Sequence, residues 1–194
     1  MAIASRARFF WEFVRKPGVV GAVAPSSGGL ARRMVEWIDW PRARTVLEYG
    51  PGTGAFTREI LSRLDAGARM VAIEINPHFA AALAEQFPAV RVHEENVKNV
   101  EKVCRDEGIA VVDAILCGLP WASFAPADQD ECLEAMLRVL RPGGQFATFA
   151  YLQGLLLPAG RRFRRKLRQY FSRVQTSSIV WRNLPPAFVY RCTR

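Results

Sequence analysis

A chain of 194 residues, half of them hydrophobic, is long enough to bury one full core and too apolar to be a disordered segment. Lysine and arginine number 27 against 18 acids, and this net charge of +9 points to a polyanionic partner, either nucleic acid or an anionic membrane surface. Cys104, Cys117, Cys132 and Cys192 have neither metal-ligand nor disulfide spacing, which predicts no metal site and a reducing cytoplasm, and no run approaches the ~18 apolar residues of a membrane span.

Residues 1–44 read as an N-terminal helical extension. Helical patterns over 3–16 and 28–38 are split by Lys16-Pro17-Gly18 and Ala24-Pro25-Ser26-Ser27-Gly28. In the first pattern Ile3, Ala7, Phe10, Phe13 and Val14 make an apolar face flanked by Arg6, Arg8, Arg15 and Lys16, as in a helix lying in a lipid interface, or in one that packs that face on its own sheet and solvates the basic one. Arginines interleaved with aromatics exclude a signal peptide.

From residue 45 to 194 strands and helices alternate as one domain. Strand 45–49 leads to helix 54–65, and strand 69–75 to a helix capped at Asn76 with Pro77 at its first position. Strand 90–93 precedes a weaker helix over 98–106. Strand 111–117 precedes helix 127–140, which stops at Arg141-Pro142-Gly143-Gly144 before strand 145–151. A basic helix over 160–170 and strands 173–182 and 187–193 complete the chain. Alternation predicts an α/β, Rossmann-like, mostly parallel sheet with right-handed crossovers. The last two strands, with no helix between them, predict an antiparallel edge, seven strands in all. A ligand should lie over the carboxyl ends of strands 1, 2 and 4.

The chemistry concentrates in Val46-Leu47-Glu48-Tyr49-Gly50-Pro51-Gly52-Thr53-Gly54, read with Val71-Ala72-Ile73-Glu74-Ile75-Asn76. A strand ending in a glycine turn, a helix, and a second strand tipped by an acid about 20 residues on is how such a sheet binds a nucleoside. The glycines admit close approach of backbone N–H groups, and Glu74 accepts from two ribose hydroxyls. A carboxylate at Glu48 would repel a pyrophosphate. It suits the ammonium and sulfonium of S-adenosylmethionine.

This pattern resembles motif I of the class I methyltransferases, which implies S-adenosylmethionine as donor and S-adenosylhomocysteine as product. The expected donor residues are Glu48, Gly50, Gly52, Gly54, Glu74, Ile75, Asn96, Val97 and Gly118. Asn96 combines two readings, contact with the adenine amino group and a helix N-cap. The run Cys117-Gly118-Leu119-Pro120-Trp121 is similar to the loop of ribosomal RNA adenine dimethylases. Those enzymes usually begin it with Asn, where Gly118 offers no side-chain acceptor.

In the helix over 160–171, Phe163, Leu167, Tyr170 and Phe171 share a stripe, with Arg161, Arg162, Arg164, Arg165, Lys166 and Arg168 around it. That describes either an interfacial helix or one that packs its stripe on its own sheet and solvates the rest.

Three runs carry a narrower resemblance: residues 13–27 ending in Pro25-Ser26-Ser27, then Gly118-Leu119-Pro120-Trp121, then residues 180–190 with Asn183-Leu184-Pro185-Pro186-Ala187. With motif I they are similar to the bacterial phospholipid N-methyltransferases, which methylate phosphatidylethanolamine towards phosphatidylcholine, with relatives acting on ornithine lipids. The resemblance implies an aminophospholipid substrate, an N-terminal helix that docks on an anionic membrane and partly lids the site, and a cytoplasmic protein peripheral on the inner face of the membrane. It places Ser26, Ser27, Leu119, Pro120, Trp121, Tyr151, Trp181, Asn183 and Tyr190 on the substrate side.

Tyr151 is the catalytic candidate, to orient the amine nitrogen or relay its proton. Trp121, Tyr151, Trp181 and Tyr190 would offer π-faces to methylated ammonium, with edge-strand packing as the other reading of Trp181 and Tyr190. The alternatives are an RNA adenine methyltransferase, disfavoured by Gly118, and a non-catalytic lipid- or RNA-binding protein, disfavoured by the intact acids and glycines. DNA is not an expected partner.

Overall fold

The computed structural model describes residues 27–194; the helix expected over 3–16 and the run from Lys16 to Ser26 lie outside the described residues. Strands β1 (Thr45–Tyr49), β2 (Arg69–Glu74), β3 (Arg91–Glu94), β4 (Val112–Cys117), β5 (Leu140–Tyr151), β6 (Arg173–Thr176) and β7 (Ala187–Thr193) form one sheet in the order β3-β2-β1-β4-β5-β7-β6. The first five pair in parallel. β7 runs antiparallel to both β5 and β6, which makes the expected antiparallel edge.

Helices α1 (Gly28–Val35), α2 (Ala55–Leu61) and α3 (Pro77–Gln86) cover one face, and α4 (Val100–Asp106), α5 (Pro126–Val139) and α6 (Pro158–Tyr170) the other. All five residues of β1 are buried, because a central parallel strand is covered on both sides. Its alternation divides the core. Val46 joins Leu30, Met34, Phe56 and Ile60, whereas Leu47 and Tyr49 join Ile73, Leu133, Met136 and Phe146.

Two of the helices, α1 and α3, begin where a side chain satisfies their first N–H groups. Ser27 Oγ accepts from Leu30 N at 3.2 Å, and Asn76 Oδ1 accepts from His78 N at 2.8 Å.

Three sequence boundaries need correction. Residues 28–44 are not a separate extension: Leu30, Ala31, Met34, Val35, Ile38, Trp40 and Ala43 are buried in the core that α2 shares. The stop expected at Arg141-Pro142-Gly143-Gly144 is a bulge within β5, since Val112 pairs with Leu140 and Ala114 with Gln145, and Gly143 takes up the slack at φ +72°. The strand expected over 173–182 ends at Thr176. There Ser177 Oγ accepts from Val189 N at 2.9 Å and the ladder breaks, leaving a single bridge from Val180 to Ala187.

The basic helix packs on its own sheet. Phe163, Leu167 and Phe171 are buried, Tyr170 donates to Asp130 at 3.0 Å, and Lys166 pairs with the same carboxylate at 2.6 Å.

Candidate active site

The carboxyl ends of β1, β2 and β4 are knitted together by backbone bonds. Gly50 N donates to Ile73 O at 2.9 Å and Gly118 N to Tyr49 O at 2.8 Å. Between them the glycine turn runs with φ of +62° at Gly50, +54° at Gly52 and +77° at Gly54, a conformation that side chains resist. Two positions differ in what surrounds them. A Cβ at Gly118 would lie 2.5 Å from Gly50 O, so the β4 loop rests directly on the turn. A Cβ at Gly52 would meet nothing within 4 Å, so this peptide faces open space.

Glu74 closes the turn from β2. Its Oε1 accepts from Asn76 N at 2.9 Å and its Oε2 from Gly52 N at 3.2 Å. Burial raises its pKa against the pull of those N–H groups. Glu48 is fully buried. One oxygen accepts from Thr57 Oγ1 at 2.6 Å, and Oε1 has no partner. Desolvation pushes this carboxyl up to about 8; the Thr57 bond opposes that rise and the neighbouring Glu74 adds to it.

An orphaned buried carboxylate oxygen, a second acid and an open glycine turn fit a ligand with a ribose and a cationic tail. Thr57 is the residue that sequence reading missed. Its only signal was a hydroxyl on the buried face of the helix that follows the glycines.

Ile75 is exposed immediately after Glu74. Glu95 N donates to Glu74 O at 3.2 Å, which brings Asn96 and the buried Val97 to the tip of β2. Asn96 Oδ1 accepts from Lys98 N at 3.0 Å, so the N-cap reading of this residue is realised.

The expected substrate residues separate into three groups. Tyr151 ends β5, half-buried against Phe149 with ring centroids 5.6 Å apart. Burial raises its phenol pKa, so the hydroxyl holds its proton.

Trp121 and Tyr190 are core residues, which corrects their reading as open π-faces. Trp121 stacks on Phe163 at 5.2 Å and Tyr190 meets Phe188 edge-on at 4.9 Å. Leu119 is buried beneath Gly50, while Pro120 is partly exposed.

Asn183, Ser27 and Trp181 belong to the β6–β7 connection and what it holds. Buried Asn183 accepts from Ser27 N at 3.1 Å and donates to Pro185 O at 2.8 Å, which makes it a clasp between two distant segments of chain. Trp181 is exposed, and Ser26 lies outside the described residues.

The cysteines take no part. Burial pushes Cys104 and Cys132 up to about 11 and Cys117 to about 12, so their thiols stay protonated, and no metal-binding cluster occurs among the described residues.

A methyltransferase-domain family model matches residues 46–144. An ornithine lipid N-methyltransferase from Singulisphaera acidiphila is 32% identical over 187 residues, which cover 95% of this chain and 93% of that protein. Ribosomal RNA small subunit methyltransferase A from Mycobacterium bovis is 34% identical over 101 residues, 50% of this chain, and the match spans 31% of that protein. Among solved structures, an O-methyltransferase from Bacillus cereus in complex with SAH superposes with a TM-score of 0.65 at 17% identity, covering 98% of this chain and 91% of that one, a likeness of fold.

Proposed function

The chain belongs to the class I S-adenosylmethionine-dependent methyltransferases, and we propose that it methylates the head-group amine of a membrane aminolipid. The observation that carries this is the reach of the likeness. Similarity to the ornithine lipid N-methyltransferase extends over 95% of the chain, well beyond the methyltransferase domain, whereas the ribosomal RNA methyltransferase is matched over 50%. Phosphatidylethanolamine and ornithine lipids both present a primary amine, and both belong to the proposed substrate class. Gly118 weighs against adenine: the side-chain acceptor usual there has no room beside Gly50 O.

S-adenosylmethionine is the donor, and it supplies an electrophilic methyl group on a sulfonium. Glu74 would accept from the ribose hydroxyls, and Glu48, once ionised, would balance the positive charge of the methionine end. The open peptide at Gly52 allows close backbone approach. Methyl transfer needs an in-line attack by a neutral amine, so the chain contributes mainly position and exclusion of water. Burial disfavours the ammonium form of the substrate. The Tyr151 hydroxyl can accept from an amine N–H and so aim the nitrogen lone pair without taking it up. The proposed location is the inner face of the cytoplasmic membrane.

Labelled donor is incubated with the full chain and, in parallel, vesicles containing phosphatidylethanolamine, vesicles containing ornithine lipid, and ribosomal RNA. Mass spectrometry of the lipid extract and of nuclease-digested RNA should find label on lipid amine alone. Label in adenine and none in lipid would overturn the reading.

A further inference from the structure

The positive charge of this chain is not spread over it. Residues 151–194 hold ten of the 27 basic residues and none of the 18 acids, so the preceding 150 residues are within one charge of neutral. The same stretch exposes apolar side chains. Six large hydrophobic residues are exposed among the described residues. Four of them sit in two loops of this stretch: Leu156 (74%) and Leu157 (56%) between β5 and α6, and Trp181 (66%) and Leu184 (71%) between β6 and β7.

These loops are neighbours. Tyr151 pairs with Ala187, and Leu152 N donates to Pro186 O at 2.8 Å. Because β5 is parallel to β4, β1 and β2, its last residue lies at the end of the sheet that carries Gly50, Glu74 and Gly118. Scattered exposed leucines are ordinary; four large apolar groups in two adjoining loops at the mouth of a site are not. Arg161 and Arg162, in the first turns of α6, and Arg182, beside Trp181, are exposed, and none makes an ion pair among the described residues.

We propose that the two loops form a membrane-docking face, with Leu156, Leu157, Trp181 and Leu184 entering the head-group boundary while Arg161, Arg162 and Arg182 engage the phosphates of anionic lipid. The orientation it imposes, site mouth towards the bilayer, rests on the aminolipid reading above. Aromatic and leucine side chains backed by arginines are what an anionic interface binds. The chain's own residues 1–26 are a poorer occupant, since with four basic residues and one acid they carry the same sign as the loops. RNA would satisfy the arginines and could stack on Trp181, and would leave the three leucines in water.

The full chain is floated with vesicles of neutral phosphatidylcholine and with vesicles containing roughly one-third phosphatidylglycerol. Changing Leu156, Leu157, Trp181 and Leu184 together to Ser should weaken binding at least tenfold. Arg161→Gln with Arg162→Gln and Arg182→Gln should remove the preference for phosphatidylglycerol. Unchanged donor affinity reports that the fold is intact. In the otherwise native chain, vesicles should blue-shift the tryptophan emission, and Trp181→Phe should abolish that shift, which reads insertion without any destabilising change.

Wild-type vesicle binding by the quadruple variant would overturn the proposal, as would binding lost only on removal of residues 1–26, or binding of an RNA oligonucleotide in place of vesicles. A wild-type chain that docks through these loops yet methylates no aminolipid would leave the docking face standing and overturn the function instead.

Discussion

Glu48 is a carboxyl held in the core with one oxygen unpartnered, and its state depends on what lies beside it. Its pKa stands at about 8, against the ordinary 4.5, so between those values the folded protein holds a proton that the unfolded chain has released. Stability of the ligand-free protein should therefore fall as pH rises through that window, by at most about 5 kcal/mol for this group. Glu74, also raised, acts in the same direction. Denaturant melts at the two ends of the window should show the fall, and Glu48→Gln should flatten most of it. A cation brought to the site reverses the preference, so donor binding near neutral pH should release a proton. Calorimetry in buffers of different ionisation heat counts that proton, and Glu48→Gln should abolish it. Glu74→Ala removes the proposed acceptor for two ribose hydroxyls, at about 1.5–3 kcal/mol for each charge-assisted bond. Donor affinity should drop at least tenfold, measured by the same calorimetry. Both acids were legible in sequence because an acid, three glycines and a second acid at these intervals have few other uses. Thr57 was not, since a hydroxyl on a helix acquires meaning only when the fold sets it 2.6 Å from a buried oxygen.

At the scale of elements, pattern located strands and helices well and failed where chain met chain. Periodicity marked the apolar stripe of α6 but could not tell a membrane from a sheet as its partner. The structure decides it by stacking Phe163 on Trp121, a residue some 40 positions away. Asn183 repeats the lesson. A polar residue before Leu184-Pro185-Pro186 resembles a substrate contact on paper, and in the fold both ends of its amide are taken by Ser27 N and Pro185 O. Asn183→Ala leaves the half-buried Ser27 N–H without its acceptor, a loss of about 1 kcal/mol. Because those bonds join two loops rather than two core strands, the effect should appear first as faster amide exchange at Ser27 and through the β6–β7 connection. Exchange unchanged there would mean the clasp bears no load. The bulge in β5 has the same origin: Pro142-Gly143-Gly144 reads as a stop, and only pairing on both sides with β4 and β7 carries the strand through it.

Across the whole molecule, charge and fold tell different stories. A net +9 suggested a polyanionic partner without saying where it binds; the charge resides in the last 44 residues, and the fold gathers two of their loops at the open end of the sheet. What the sequence by itself determined is the alternation of strands and helices, the acids and glycines that gather at the ends of β1 and β2, and the family, all written in local spacing: side-chain periodicity and short motifs survive in one dimension. What only the tertiary structure decided is which residues a ligand can reach. Trp121, Tyr190 and Asn183 are spent on packing and clasping, while Trp181, Leu184, Leu156 and Leu157 are left in the open. Burial and contact depend on distances between segments far apart in the chain, and no local pattern encodes those distances.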